Sequence, residues 1–396
     1  MIRFKNGGLP LCFLGLIGFS THAMALDASD PSVQPGLTLQ PIISETGTWG
    51  SNPLLATSNA KALYGSTTAP ELIVMDKTDT KEITLDQLVD QNFFNDPNFN
   101  STDFHSKNKF MAKNQRWTAG IAGGIDYDTT RTSEISVFGS QIRPVRHFGY
   151  SATPQMTFNV NPTDVFGLSG NVSGSTYHGA TSASFTDYNV YSVTPSYTHN
   201  FDPLNAGIFQ VKAQRYQAAE GPKNISNTVT PTIGWIGELT PRFKAQANVG
   251  AQLTKQDAAG TASKPWSTDL SFSGDLTFTG EQDKTDLTFS RQATPFGNGT
   301  DSLLTSVALK ENHRLNERFT LNASASYQFA EYQTTTPSNF DSLASAGGGL
   351  TYSATEHVDI TGSYLYRYET LTNISKSPDD HSVNLQVVYH PEAWLF

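Results

Sequence analysis

From Phe243 to Thr254 apolar and polar residues alternate without a break. Phe243, Ala245, Ala247, Val249, Ala251 and Leu253 fall on one face of an extended chain, and Lys244, Gln246, Asn248, Gly250, Gln252 and Thr254 on the other. The same period of two recurs over residues 117–127, 269–278, 319–329 and 358–368. Successive side chains of a strand point to opposite faces, so each segment predicts a strand with one apolar and one polar face. These runs exceed the usual soluble strand of about five or six residues. They suit a tilted membrane-spanning strand of about ten.

Turn signals between the strands sort by length. Short polar turns are predicted at 128–132, 161–164, 200–205, 240–242, 280–284, 313–317 and 354–357, with longer loops at 174–186, 217–226, 254–265, 294–301, 331–342 and 369–380. Short periplasmic turns opposite longer external loops mark an outer-membrane barrel, and a soluble sandwich has no reason to sort its loops in this way. From Trp117 onward the pattern predicts fifteen strands, the last ending at Tyr389. Upstream, residues 37–47 form one candidate strand, and 71–75 with 82–89 form a hairpin across Lys77, Thr78, Asp79 and Thr80. The expected fold is therefore an all-β transmembrane up-and-down antiparallel β-barrel of about 16–18 strands, 18 when all are counted, an even number as in bacterial single-chain barrels. Residues 90–114, rich in Asn, Asp and Phe, read as a long loop or an inward-folded insertion. Thr84 and Gln87 offer a weaker helical alternative for 84–94 as a capping box.

Composition alone points elsewhere, with 37% hydrophobic residues and a mean hydropathy of −0.36. A barrel strand needs only every second residue to be apolar, so averaging erases its signal. The N-terminus adds an export reading: Arg3 and Lys5 precede an apolar run at 9–19, and Ala23 and Ala25 give a small-x-small cleavage pattern. Residues 1–25 are expected to be a cleavable signal peptide. Residues 26–396 are then a single barrel, delivered through the Sec route and the periplasm to the outer membrane of a Gram-negative bacterium. The only cysteine, Cys12, lies in the leader, and Leu11 before it does not fit a lipoprotein site. Neither disulfides nor thiolate metal sites are then expected. Without Arg3 and Lys5 the balance is 24 basic against 36 acidic residues, with no basic stripe for nucleic acid.

Candidate chemistry is sparse. Trp117, Tyr127, Tyr188, Trp266 and Phe278 fall near predicted strand ends, where aromatic girdles form. Phe396 ends the chain as an expected barrel-assembly signal. Its parity is wrong, because Val383, Leu385, Val387 and Tyr389 are odd while Trp394 and Phe396 are even; a bulge near Pro391 would restore the register. The histidines at 105, 147, 178, 199, 313, 357, 381 and 390 show no metal-ligand spacing and read mostly as solvated turn or loop residues. His381 and Ser382, with Asp379 and Asp380 beside them, have the ingredients of a nucleophile. Neighbours on a strand face opposite ways, however, and no enzymatic site is expected. The run Ala346, Gly347, Gly348, Gly349 lacks the lysine of a phosphate loop. No cofactor is expected.

If the apolar face meets lipid, the lumen is lined by Gln210, Lys212, Gln214, Lys244, Gln246, Asp269, Asp275, Asp359 and Arg367, joined by Asn248, Gln252, Asp286, Asn322 and Gln328. Such amide and hydroxyl walls suit polar solutes, whose hydroxyls need donors and acceptors together. Arg143, Arg146 and His147 form a basic cluster in a predicted loop: a constriction if folded inward, a lipopolysaccharide contact if exposed. The acidic stretch at 76–103 reads as an external, cation-binding loop. Expected partners are outer-membrane lipid and lipopolysaccharide, the barrel-assembly machinery, and polysaccharide or small polar solutes.

The run Tyr127, Asp128, Thr129, Thr130, Arg131, Thr132, Ser133, Glu134 is followed by Gly139 and by Ser151, Ala152, Thr153, Pro154. With Asn52-Pro53 and Ala69-Pro70 upstream, it resembles the pattern of the putative β-barrel porin-2 family of outer-membrane proteins. That resemblance implies a pore or a secretion-linked barrel, associated with exopolysaccharide or capsule production, and brings no catalytic residues. Three roles follow as expectations: a channel or export component tied to surface polysaccharide, a weakly selective diffusion porin, or a structural or adhesive barrel with a plugged lumen.

Overall fold

The computed structural model describes residues 36–133, 145–179, 185–219, 224–258, 265–295, 301–331, 340–371 and 377–396; the segment expected to be a signal peptide, with Ala23 and Ala25, lies outside them. Eighteen long strands form one antiparallel sheet. Those of the first half are β1 (Gly36–Gly50), β2 (Leu63–Lys77), β3 (Lys81–Phe94), β4 (Ser101–Lys113), β5 (Trp117–Thr129), β6 (Arg146–Asn159), β7 (Asp164–His178), β8 (Tyr188–Asn200) and β9 (Asn205–Ala218). The second half comprises β10 (Asn224–Thr240), β11 (Phe243–Ala258), β12 (Ser267–Thr279), β13 (Asp283–Pro295), β14 (Asp301–Arg314), β15 (Phe319–Glu331), β16 (Phe340–Thr355), β17 (Val358–Leu371) and β18 (Asp379–Tyr389). Each strand pairs with its sequence neighbours, and β1 pairs with β18 from Ile43 opposite Tyr389 to Gly50 opposite Ser382. The sheet is therefore a closed 18-strand barrel, with none of the open edges that a spanning sheet cannot carry in hydrocarbon.

Closure separates two faces. Ile43, Leu72, Leu85, Ile121, Leu168, Ile233, Val249, Leu309, Leu350 and Leu385 lie outward and are substantially exposed, as a lipid-facing belt requires. The alternate register carries amides, hydroxyls and charges inward. Turns at the end shared by both termini have two to four residues, against five to sixteen at the other end, so the length alternation holds around the whole wall. The external loops are shorter than the sequence indicated because the strands run on past the belt: β7 continues to His178 and β10 begins at Asn224.

Two expectations are corrected although the total of 18 stands. Residues 90–114 are neither a loop nor an insertion, and 84–94 is not helical. β3 runs to Phe94, a single 3-10 turn at Pro97–Phe99 reverses the chain, and β4 returns, with Asp90 opposite Asp103. The hairpin turn expected at 128–132 is absent: Asp128 and Thr129 complete β5 opposite His147 and Arg146, and a four-residue helical turn α1 (Thr130–Ser133) follows. One strand missed upstream and one too many expected downstream cancelled.

The expected bulge is present at the C-terminus. Ile43 faces Tyr389 and Leu39 faces Trp394, so five steps on the C-terminal arm oppose four on β1. The extra residue falls across His390, Pro391, Glu392 and Ala393, where proline lacks the N–H that a ladder needs. Parity is thereby reset. The two-residue strand β19 (Trp394–Leu395) pairs with β1, and the Phe396 N–H donates to the Leu37 carbonyl at 2.9 Å.

Candidate functional site

The inner register of β2–β5 forms a charged panel. Glu71, Glu82, Asp86, Asp90, Asp103, Asp126 and Asp128 share it with His105 and with Lys77, Lys107, Lys109 and Lys113. The acidic stretch expected as an external loop is thus largely barrel wall. Internal pairing is partial: Lys109 meets Glu82 at 2.7 Å, and His105 Nδ1 meets Asp126 at 2.8 Å with Asp90 3.5 Å from its other nitrogen. α1 brings another charge to the top of the panel, with the Arg131 guanidinium 4.7 Å above the Phe94 ring. Burial pulls that guanidinium below its ordinary value, while Asp103, Asp128 and Asp90 oppose the shift. Seven carboxylates against four lysines and Arg131 leave the panel negative.

The remaining wall differs. Gln210, Lys212 and Gln214 on β9, Lys244, Gln246, Asn248 and Gln252 on β11, Asp269 and Asp275 on β12, Asp286 on β13, Asn322 and Gln328 on β15, and Asp359 and Arg367 on β17 all occupy the register opposite the exposed apolar residues. Gln214 Nε2, Thr232 Oγ1 and Asn248 Oδ1 are buried without a partner among the described residues, leaving donor and acceptor capacity on one wall. Toward the external end this wall thickens inward. Tyr216 is packed against Tyr188 with ring centroids 5.5 Å apart, beside Val190 and Ala218.

Arg367 is committed rather than free. Its Nη2 donates to Asp380 Oδ2 at 2.8 Å and to the Pro53 carbonyl at 3.1 Å. Asp380, fully buried, also accepts from Asn52 N at 2.8 Å, Ser382 Oγ at 2.6 Å and Ser51 Oγ at 3.4 Å. Asn52 closes the segment on itself, donating to the Ala56 carbonyl and accepting from its N–H. The first external loop is thus latched to the inner edge of β17–β18, with Leu55 buried at a positive φ of 50°. At the opposite end Asp359 accepts from Ser353 Oγ at 2.6 Å and lies 3.1 Å from His390 Nε2.

The predicted basic cluster is redistributed. Arg143 lies outside the described residues, and Arg146 and His147 are not loop residues but the first two of β6. The Arg146 guanidinium lies 4.7 Å from the Tyr127 ring centroid and donates to Asp103 at 2.6 Å, so it neutralises the panel's rim. His147 is buried. Its Nδ1 is 2.8 Å from Asp128 Oδ1 and its Nε2 3.1 Å from Ser175 Oγ, an acid–imidazole–hydroxyl chain across β5, β6 and β7. Gly149 makes room for the ring, since a Cβ there would come within 2.9 Å of His147 Cε1. Sequence reasoning missed this chain because its members come from three strands. It weighed His381 and Ser382 instead, where His381 contacts Tyr364 and Ser382 donates to Asp380. Ser175 is 7% exposed and the Tyr177 ring centroid sits 5.3 Å from that of His147, so the geometry ties three strands together and offers no approach to the hydroxyl. The histidines are also not mainly solvated turn residues. Six of the eight lie in strands, and His199 and His313 pair with Asp164 and Asp283.

The family model for putative beta-barrel porin 2 matches residues 270–390, β12 through β18. No curated protein matches the chain. Among solved structures, the chain is similar to Pseudomonas aeruginosa OccK3 (OpdO), with a TM-score of 0.48 and 8% identity over 90% of this chain and 96% of that one. A BenF-like porin from Pseudomonas fluorescens gives 0.47 and 8% over 90% and 99%. The outer membrane channel DcaP of Acinetobacter baumannii gives 0.43 and 12% over 90% and 97%. The family match and the closed 18-strand wall together make this a porin-like outer-membrane β-barrel.

Proposed function

We propose that the barrel is a diffusion channel for small polar solutes that favours cations over anions. The observation that carries this reading is the inner panel of β2–β5, where seven carboxylates outnumber four lysines. A low-dielectric wall of one sign concentrates counter-ions in a narrow passage, and the effect weakens as salt screens it. The rest of the wall, rich in glutamine, asparagine, serine and threonine, gives a neutral solute exchangeable hydrogen bonds. Lys212, Gln210, Gln214, Lys244, Gln246, Asp269 and Asp275 belong to that path in this reading. The loop held by Arg367 and Asp380 narrows its external mouth. Reconstitution in planar bilayers tests the proposal. Discrete conductance with a reversal potential of cation sign supports it, and silence across several salts or an anion preference overturns it.

A second reading ties the channel to surface polysaccharide, as an export or assembly component. It draws on what the family resemblance of the sequence implies about exopolysaccharide or capsule production, and on the unpartnered amide and hydroxyl atoms of β9–β11, since sugars present donors and acceptors at once. A deletion strain with unchanged exopolysaccharide yield and chain length removes it. Delivery by a cleaved leader, recognition of Phe396 by the barrel-assembly machinery, and contact with lipopolysaccharide belong to the same reading of an outer-membrane protein.

A further inference from the structure

The outward face of β1–β4 departs from the apolar belt. Glu45 lies opposite Thr68, Thr68 opposite Gln91, and Gln91 opposite Thr102, so four polar residues form one row across four neighbouring strands. Thr68 Oγ1 donates to Glu45, and Thr102 Oγ1 to Gln91 Oε1 at 2.7 Å. Lower on the same face, Gln87 donates to Asn108 at 3.1 Å and Asn108 to Ser106 at 2.9 Å. The row is not at the headgroup level. Trp49, Tyr64 and Phe93 stand above it on β1, β2 and β3, and Ile43, Leu72 and Leu85 lie below it on the same strands, all outward and exposed. An ionisable group between an aromatic girdle and an aliphatic belt is costly against acyl chains and is retained where protein covers it. Two other outward charges differ from it: Arg291 on β13 is neutralised within the chain by two bonds to Glu331, at 2.9 and 3.0 Å, and Glu311 on β14, held by Thr285, lies near the periplasmic end of its strand without a polar row across its neighbours. Glu45 has no cation within salt-bridge distance among the described residues.

We infer that this face packs against a second copy of the chain in the membrane. The patch holds both halves of a contact: the Glu45 carboxylate is an acceptor, and the Gln91 amide nitrogen is a donor that makes no hydrogen bond among the described residues. They sit two strands apart, roughly 10 Å at the usual spacing of about 4.8 Å. A symmetric or cyclic arrangement sets the acceptor of one copy beside the donor of the next, and each copy shields the other's polar row from lipid. Gly47 beside Glu45, and Pro41 and Pro70 on the flanking positions, keep the face shallow enough for close approach.

The inference rests on the outer-membrane reading, and the test separates the two. In a Cys12→Ser background, Thr68→Cys, Gln91→Cys and Thr102→Cys are each treated in isolated outer membranes with a short bis-maleimide. Ala325→Cys, outward on β15, is the control. Only barrels that are heat-modifiable on SDS gels are scored, and the three patch positions stand in for one another where one fails to fold. The expected result is a band at twice the chain mass from the patch positions and none from Ala325→Cys, with the Thr102→Cys band reduced severalfold by adding Glu45→Leu. Folded barrels in the outer-membrane fraction that are never captured, or are captured equally at Ala325→Cys, overturn the second-copy contact alone. Chain absent from that fraction overturns the membrane reading and the contact with it.

Discussion

At the scale of single residues, the strongest local commitments in this barrel are buried charges held by several donors. Asp380 accepts from Arg367, Asn52 N, Ser51 and Ser382. Removing one partner of such a pair leaves an uncompensated charge, at a cost of about 3–5 kcal/mol. Asp380→Ala is therefore expected to release the first external loop and lower the temperature at which the barrel loses heat-modifiable mobility; an unchanged transition would remove the latch. His147 makes a second, opposite prediction. Its bonds to Asp128 and Ser175 have the order of a hydrolytic relay, but burial beside Tyr177 gives them a structural role. His147→Ala should destabilise the folded barrel while Ser175 in the parent protein stays unlabelled by a serine-reactive fluorophosphonate. Stoichiometric, His147-dependent labelling would contradict that assignment. Neither group of residues was legible in the sequence. Asp128, His147 and Ser175 sit on three strands, and Asp380 gathers partners from both ends of the chain, so no local spacing announces them.

At the scale of elements, legibility followed the contrast between the two faces of each strand. β11, β12, β15 and β17 set Phe, Leu, Val or Tyr against Gln, Asn, Ser or Asp, and each is found where the alternation placed it. β4 was missed because Thr102, Ser106 and Asn108 stand on its outward face, which removes the contrast that a lipid-facing strand shows. β2 was seen only over its lower half for the same reason, with Ser66 and Thr68 outward above it. The polar row that hid these strands is the one proposed to meet a second copy, so the failure of the pattern and the contact share a cause. The turn expected at 128–132 failed differently: Asp128 and Thr129 are turn formers by type, but cross-strand pairing with His147 and Arg146 holds them extended. The bulge at the C-terminus was legible because parity is arithmetic. Deleting Pro391 should remove the extra residue and turn Trp394 and Phe396 toward the lumen. The expected outcome is a severalfold fall in folded barrel in the outer-membrane fraction; normal assembly would show that the register of the last residues is immaterial.

At the scale of the whole molecule, closure into 18 strands makes an interior wide enough for a passage unless segments fill it. Here the interior is uneven in charge: acids gather on β2–β5, and amides and hydroxyls line much of the rest. Tyr216 and the loop held by Asp380 reduce the external end. The central claim is that this wall selects by charge, and the reversal potential of single channels under a potassium chloride gradient tests it most directly. The predicted result is a potential of cation sign that shrinks at high salt and moves toward zero in a Glu71→Gln, Asp86→Asn, Asp90→Asn variant. An anion-selective potential, or one unmoved by the three substitutions, would contradict it.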